Sequence, residues 1–247
     1  MTAMTAERLL SEVIAAHGGE TPWRAARAVE AVCSVDGALF AAKRRPVLTR
    51  VRMRASATEP RFAFEDFPAP GQRAELVGEK EVRIADASGR TVARREAPRR
   101  AFAEFRRNLY WDDLDFVYFG GYAMWNYLTA PFLFLRPGFR FESPEPAQAS
   151  GADWTRLAVT FPEDLPTHSR RQVFYFDEAR MLRRLDYTAE VVSRFAKAAH
   201  LCGGHRSFGG LVAPTSRRVR PLGPFGRPLP FPTLVAIDVH DLRLVSG

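Results

Sequence analysis

At 247 residues, of which 46% are hydrophobic, the chain is long enough to bury a full core, and we expect one domain spanning residues 1–247. The formal net charge of +8 comes from basic residues dispersed in pairs without a nucleic-acid-binding motif, which argues against nucleic acid as a partner and predicts at most a weak contact with an anionic membrane surface. Two cysteines are too few for a disulfide framework, so a cytoplasmic location is expected.

The N-terminal segment predicts a short amphipathic helix and not an export signal. It has neither a basic start nor a continuous apolar stretch. Its apolar side chains recur instead at helical spacing, at Leu9, Leu10, Val13 and Ile14. The pair Gly18-Gly19 is then expected to end the helix.

The next residues predict an antiparallel meander. Val29 to Val35 favours a first strand, and Asp36-Gly37 is typical of a hairpin turn into a second strand over Ala38 to Lys43. From Leu48 to Ser56, arginines alternate with apolar residues, which indicates a sheet with one face in water. Further short strands are expected up to Arg95.

A pair of helices is predicted to interrupt the meander over residues 98–135. Pro98 suits the first turn of a helix, and an apolar stripe runs from Phe102 to Leu109. Asp112 is a suitable N-cap for the second helix, and Asp115, three residues later, completes a capping-box pattern.

The second helix opens a run of twenty uncharged residues, Phe116 to Leu135, in an otherwise arginine-rich chain. A run of this length can cross a bilayer. However, two glycines, Asn126 and Pro131 interrupt it, and a span here would separate the two halves of the sheet. We therefore predict no integral membrane span and expect the run to cover a sheet.

From Phe139 onwards the strand patterns return, which gives roughly ten or eleven antiparallel strands around a helical pair. This order is α+β and not an alternating βαβ order. No phosphate-binding glycine motif precedes a helix. The sequence therefore predicts a curved antiparallel β-sheet, a half-barrel, whose open face is covered by a helical lid inserted at 98–135.

The opening AHGGETPWRAARAVEAVCSVDGALF, a helix ending in Gly-Gly followed by a tryptophan and a first strand, resembles the start of the LolA/LolB-like lipoprotein-localisation superfamily. The meander, the mid-chain helices and the late strand LRRLDYTAEVV are compatible with this resemblance over most of the chain. Proteins of that superfamily form a curved half-barrel closed by helices and carry lipid chains in its apolar cavity. The resemblance therefore implies a protein that encloses a hydrophobic small molecule or an acyl chain.

The aromatic residues of the uncharged run are the predicted ligand-binding residues. Phenol and indole side chains combine an apolar body with a polar tip that needs a partner, which suits the wall of an apolar cavity. A solid core would use the same residues. The predicted set is Tyr118, Tyr122, Trp125, Tyr127 and Phe132.

The alternative function is a cofactor-independent enzyme, such as an isomerase, cyclase or lyase, acting on a hydrophobic substrate in the same cavity. His168 lies in a loop just before the strand QVFYFD, where an imidazole can transfer protons or can simply bond to a turn. Asp113 is the acidic residue that helix capping leaves unexplained, so it is the second candidate acid or base.

The cluster HLCGGH, with His200, Cys202 and His205, offers soft metal ligands. A zinc site usually takes four ligands in recognised spacings, and no fourth ligand is identifiable. We therefore predict neither a metal nor a cofactor.

Overall fold

The computed structural model describes residues 4–149 and 152–246. In this part of the chain, fourteen strands form one continuous antiparallel sheet that is curved and does not close on itself. The first six are β1 (Ala26–Asp36), β2 (Leu48–Ser56), β3 (Arg61–Glu65), β4 (Arg73–Val77), β5 (Glu81–Ala85) and β6 (Thr91–Glu96). The others are β7 (Arg140–Phe141), β8 (Glu145–Ala149), β9 (Ala152–Thr160), β10 (Arg171–Phe176), β11 (Leu182–Thr188), β12 (Lys197–Phe208), β13 (Leu211–Pro221) and β14 (Val235–Ser246).

The sheet is built outwards from its centre and then back from the far edge. β1 lies in the middle, and β2 to β6 follow in order to one edge. β7 and β9 form the opposite edge, with β8 paired to β9, and β10 to β14 return in order until β14 pairs with β1. Ala31 lies opposite Leu242 in that central pair. The first and last strands therefore pair with each other in the middle of the sheet.

Six helices accompany the sheet in the described residues: α1 (Ala6–Ala16), α2 (Glu20–Ala25), α3 (Ala38–Ala42), α4 (Pro98–Ala101), α5 (Arg106–Leu109) and α6 (Asp113–Thr129). Short 3-10 turns lie at Phe132–Leu135 and Pro224–Gly226. The apolar stripe of α1 is buried as its spacing predicts, and Thr5 caps the start of this helix.

The long helix α6 lies against the concave side of the sheet, in contact with β2 to β6. Every residue from Asp115 to Thr129 is buried. A helix that is apolar on all sides is stable only when it is surrounded by other elements. The uncharged run is therefore the centre of the core, packed between the sheet and its neighbouring loops.

The capping box at the start of α6 is confirmed. The Asp112 carboxylate accepts from the backbone N–H of Asp115 at 2.8 Å, and the Asp115 carboxylate accepts from the N–H of Asp112 at 3.1 Å. Asp115 is also buried among arginines, so this helix begins at an ion cluster as well as a cap. The capping box and the ion cluster together stabilise the start of α6.

The strand predicted over Ala38 to Lys43 is wrong, because these residues form α3. The N–H groups of Ala38 and Leu39 donate to the carbonyls of Thr233 and Leu234, each at 3.0 Å, and hold the turn against the start of β14. Gly37 takes φ 137°, and a Cβ there would lie 2.3 Å from the Leu234 carbonyl oxygen. A contact distant in sequence therefore replaces the hairpin.

The number of strands, fourteen within the described residues, is higher than predicted. One strand that the sequence pattern does not indicate is β12, which runs through Gly203-Gly204 with Gly204 at φ 62°, a conformation that is unusual inside a strand. The predicted first helix of the mid-chain pair is also shorter than expected. It is split into α4 and α5, and Phe105 and Leu109 are exposed instead of forming a buried stripe.

No helix in the described part of the chain is both long and apolar enough to cross a membrane.

Candidate functional site

An apolar cavity of about 340 Å³ lies between α6 and the strands at the middle of the sheet. This volume is within the usual range for small-molecule sites, roughly 300–1,000 Å³. One side of α6 contributes Phe116, Phe119, Gly120, Ala123, Met124 and Tyr127. Among the described residues of its lining, Tyr127 and Tyr187 supply the hydroxyl groups and Lys197 the charge. The cavity is therefore a hydrophobic chamber with a small number of polar groups.

The mouth of the cavity lies between two loops at one end of the sheet. These are the β11–β12 loop and the β13–β14 loop, which are held together where the Leu222 N–H donates to the Lys197 carbonyl at 2.9 Å. Phe195 and Lys197, both in the cavity lining, are exposed there. The cavity lining therefore reaches solvent at this end of the sheet, beside these loops.

A second depression, of about 420 Å³, lies elsewhere, beside β1, β2 and the end of β14. Its charged residues pair with each other: Glu30 accepts from both Arg54 and Arg243. Because these charged side chains form much of its lining, the depression is less apolar than the cavity beside α6 and suits a hydrophobic ligand less well. We therefore take the chamber beside α6 as the candidate site.

A chain of buried polar groups runs up to the wall of the cavity. Tyr122 Oη is 3.0 Å from His168 Nδ1, and Tyr127 Oη is 2.7 Å from His168 Nε2. Tyr127 Oη is also 2.9 Å from Tyr187 Oη. The His168 ring stacks on Tyr187 with centroids 4.1 Å apart. His168 itself does not line the cavity, and it reaches the cavity through the two tyrosines that do.

All four members of this chain are neutral at pH 7. Burial, with a smaller effect from the positive charge of Arg99, lowers the pKa of His168 to about 3. Burial also raises the pKa of Tyr122, Tyr127 and Tyr187 above the usual value for a phenol. These four hydrogen-bonded residues can therefore donate and accept hydrogen bonds without placing a charge beside the apolar cavity.

No family model matches the sequence, and no curated protein does. Solved structures do match, and two of them cover nearly the whole chain. A LolA superfamily protein from Nitrosomonas europaea is 11% identical with a TM-score of 0.54, over 99% of this chain and 96% of that one. A DUF1329 family protein from Desulfovibrio piger is 15% identical with a TM-score of 0.52, over 98% of this chain and 94% of that one.

The chain has a LolA-like fold. The resemblance inferred from the opening helix, the tryptophan and the first strand is therefore confirmed at the level of architecture. At these identities the match concerns the fold alone, so the function of this LolA-like protein has to be argued from its cavity.

Tyr127 is the one predicted ligand-binding residue found in the lining described for this cavity. The other four make contacts elsewhere. Tyr118 donates to Glu79 at 3.0 Å, Trp125 donates to the Ser56 carbonyl at 2.9 Å, Tyr122 bonds to His168, and Phe132 stacks on Trp23. On α6, positions 118, 122 and 125 share one stripe, whereas the lining uses positions 116, 119, 120, 123, 124 and 127. The cavity is thus on another side of the helix.

The structure does not bring the two candidate catalytic residues together. Asp113 pairs with Arg45 at the start of α6, and its side chain is 42% exposed. His168 bonds to Tyr122, nine residues further along the helix, which corresponds to about 13 Å at 1.5 Å per residue. Asp113 is therefore explained by a surface ion pair, and His168 by the tyrosine chain.

The HLCGGH cluster is arranged around an arginine. Arg217 is buried, and its Nη1 lies 3.4 Å from both His200 Nε2 and Cys202 Sγ, while its Nη2 donates to the Tyr127 carbonyl at 2.8 Å. Burial, and then the charge of Arg217, lowers the pKa of His200. A guanidinium in this position repels a metal cation. In residues 4–149 and 152–246, no three His, Cys, Asp or Glu side chains are grouped to hold one.

Tyr187 and Arg217 are the site residues that the sequence reasoning missed. Both lie on strands in which alternate residues are buried: Tyr187 shares its face with Leu185, and Arg217 shares its face with Val219. Because alternate residues of a strand face the same side, that alternation indicates that Tyr187 and Arg217 face the core. It was overlooked for Arg217 because arginines were expected to lie on the wet face of the sheet.

Proposed function

We propose that this LolA-like protein binds a hydrophobic small molecule or an acyl chain in the cavity beside α6. The observation that carries the proposal is the cavity itself, about 340 Å³ with an almost entirely apolar lining. Apolar surface removed from water stabilises a complex by roughly 25 cal/mol per Å², so an apolar ligand gains by entering. The LolA-like fold supports the proposal, because a curved sheet of this kind can enclose an apolar chain.

Filling the cavity is expected to weaken this binding. Ala123 lies on the cavity side of α6, so Ala123→Trp should weaken binding of the apolar fluorescent dye N-phenyl-1-naphthylamine by about tenfold or more. Ala123→Leu should give a smaller loss, because it occupies less of the space. Dye titration followed by fluorescence measures both.

The matched control is Ala15→Trp, at an exposed alanine of α1, which should bind the dye like the wild type. Thermal unfolding of each variant shows whether the fold is retained. Dye binding that is unchanged in Ala123→Trp would place the dye elsewhere, and absence of binding by the wild type would contradict the proposal.

The low pKa and the two hydrogen bonds of His168 favour a binding function over the alternative function of an isomerase, cyclase or lyase. A general base works best when its pKa is near the working pH. The pKa of His168 is about 3, and its two ring nitrogens are occupied by Tyr122 and Tyr127. This imidazole is a weak base that has no direct access to the cavity, so we assign it to holding the tyrosines.

We also propose that the mouth of the cavity contacts an anionic membrane surface. The sequence has no Asp or Glu from Val191 to Ile237, which includes the whole β13–β14 loop and the part of the β11–β12 loop that follows Glu190, whose carboxylate pairs with Arg99. These loops present three exposed aromatic side chains, Phe195 (75%), Phe225 (99%) and Phe231 (77%). Basic residues attract anionic lipids and aromatic side chains enter the interface. This placement would let an apolar ligand pass between bilayer and cavity without crossing water.

Removing the mouth aromatics should weaken membrane binding. The double variant Phe225→Ser/Phe231→Ser is expected to bind vesicles of phosphatidylcholine and phosphatidylglycerol about tenfold less tightly than the wild type, because two apolar anchors are lost. Co-sedimentation measures this. Val92→Ser, at an exposed residue of edge strand β6, is the control. Equal binding by the wild type and the double variant, or no preference for phosphatidylglycerol in the wild type, would contradict the proposal.

A further inference from the structure

The chain of buried polar residues that ends at the cavity has one more O–H or N–H hydrogen than it has hydrogen bonds. Its members are Tyr122, His168, Tyr127 and Tyr187, joined by three hydrogen bonds of 3.0, 2.7 and 2.9 Å. Each tyrosine carries one hydroxyl hydrogen, and a neutral imidazole carries one N–H. Four hydrogens therefore serve three bonds, and one hydroxyl hydrogen is left over.

The left-over hydrogen can belong to any of the three tyrosines, but burial disfavours Tyr122. Tyr122 is fully buried and lies outside the lining described for the cavity, and in the described part of the chain its hydroxyl bonds to His168. A free hydrogen on this hydroxyl would be a buried donor without an acceptor, which is unfavourable, whereas at the cavity wall a ligand or water can accept it. The Tyr122 hydrogen therefore points to His168 Nδ1, and the Nε2 hydrogen of His168 points to Tyr127.

The free hydrogen then lies on Tyr127 or Tyr187, and both of these residues line the cavity. Their hydroxyl groups bond to each other, so the hydrogen can move between them by rotation of the two O–H bonds. Among the described residues of the lining, the other polar side chain is Lys197, which is exposed at the mouth. The inner wall therefore presents one hydrogen-bond donor in apolar surroundings.

We infer that the ligand of this cavity carries a hydrogen-bond-accepting oxygen, such as a ketone, ester or hydroxyl oxygen, which accepts from the Tyr127–Tyr187 pair. This inference rests on the proposed binding function and narrows its ligand class. A site with a buried donor discriminates against an analogue that lacks the matching acceptor, because the donor is then left unpaired. A hydrocarbon with no oxygen is the disfavoured ligand.

The test compares 2-undecanone with 2-methylundecane, in which a methyl group replaces the carbonyl oxygen. Each displaces N-phenyl-1-naphthylamine from the cavity, and the ratio of the two affinities gives the preference for the ketone. Comparing this ratio between the wild type and a variant cancels the difference in water solubility. The double variant Tyr127→Phe/Tyr187→Phe should reduce the ratio by about fivefold, the effect of a typical hydrogen bond.

The count of hydrogens also predicts the ketone preference of the two single variants, Tyr187→Phe and Tyr127→Phe. Tyr187→Phe leaves three hydrogens for two bonds, so Tyr127 keeps a free one. Tyr127→Phe leaves the Tyr187 hydroxyl unbonded and free to donate. Each single variant should therefore keep the ketone preference within about twofold, and only the double variant should lose it. A purely structural role for these hydroxyls would give additive losses instead.

The matched control is Tyr118→Phe/Tyr175→Phe. These two hydroxyls donate to Glu79 and Asp186, and neither residue belongs to the lining described for the cavity. The control should keep the wild-type ratio. A ketone preference that survives in the double variant Tyr127→Phe/Tyr187→Phe would overturn this inference and leave the binding function intact. Failure of both probes to displace the dye from the wild type would instead contradict the binding function.

Discussion

Replacing Asp115 with asparagine is expected to lower the free energy of unfolding by about 3–5 kcal/mol, the usual result of removing one partner from a buried ion pair. The Asp115 carboxylate is fully buried and accepts from Arg95 at 2.7 Å, Arg106 at 2.9 Å and Arg107 at 3.1 Å. Arg107 is itself buried. Asparagine keeps the size of the side chain and one acceptor oxygen, so the loss reports the missing charge together with the hydrogen bonds of the second oxygen.

Urea unfolding followed by tryptophan fluorescence measures this effect. The matched control is Asp113→Asn, two residues earlier on the same helix. Asp113 pairs with Arg45 but is 42% exposed, and exposed ion pairs contribute about 0–1 kcal/mol. A similar loss of stability in the two variants would mean that burial of Asp115 does not determine the strength of this cluster.

The capping box of α6 could be predicted from the sequence because it depends on residues three positions apart. The same holds for the buried stripe of α1 and the alternating strand β2, whose register follows from local periodicity. The curved antiparallel sheet followed from the order of these elements. What the sequence could not supply were contacts between distant residues, such as those of Ala38 and Leu39 with the start of β14.

The residues of α6 that line the cavity were harder to predict, for a physical reason. A helix that is apolar all round has no polar face to orient it, so its sequence does not say which side faces a sheet and which a cavity. Tyr118, Tyr122 and Trp125 have polar tips that require partners, and they find them in Glu79, His168 and Ser56. The cavity lies where the side chains are smaller, at Gly120 and Ala123.

The buried arginines were also hard to predict from the sequence. The alternation of arginines with apolar residues from Leu48 to Ser56 indicated positions in water, and most arginines of the described chain are partly or fully exposed. Arg107, Arg184 and Arg217 are nevertheless buried. Arg107 and Arg184 pair with carboxylates, whereas Arg217 bonds to a carbonyl and lies over the Tyr127 ring with its guanidinium carbon 5.3 Å from the centroid. Charge alone does not reveal such partners, because they come from other strands and from α6.

Acid is expected to destabilise the protein well above the pH at which carboxylates titrate. Burial lowers the pKa of His168 to about 3 and also lowers the pKa of His200. In the unfolded chain both titrate near pH 6.5. Below that pH the unfolded state binds more protons than the folded state, so stability decreases as pH falls. The slope is about 1.4 kcal/mol per pH unit for each histidine that stays neutral in the fold.

Urea unfolding between about pH 6 and pH 5 isolates this effect, because the unfolded carboxylates titrate near pH 4. His168→Gln should reduce the slope by about 1.4 kcal/mol per pH unit, since it removes one group that titrates in the unfolded state alone. Tyr122→Phe is the matched control. It removes a hydrogen bond to His168 but no titration in this range, so it should lower stability equally at each pH and leave the slope unchanged.

The same measurement tests a premise of the inferred ligand class. The count of four hydrogens for three bonds holds only if His168 is neutral, because a protonated imidazole would add a fifth. Equal slopes for the wild type and His168→Gln would mean that His168 is protonated in the fold. In that case His168 would donate from both nitrogens, to Tyr122 and to Tyr127, and each of these tyrosines would have to direct its own hydrogen elsewhere. A slope reduced in His168→Gln therefore supports both the neutral imidazole and the donor that it leaves at the cavity wall.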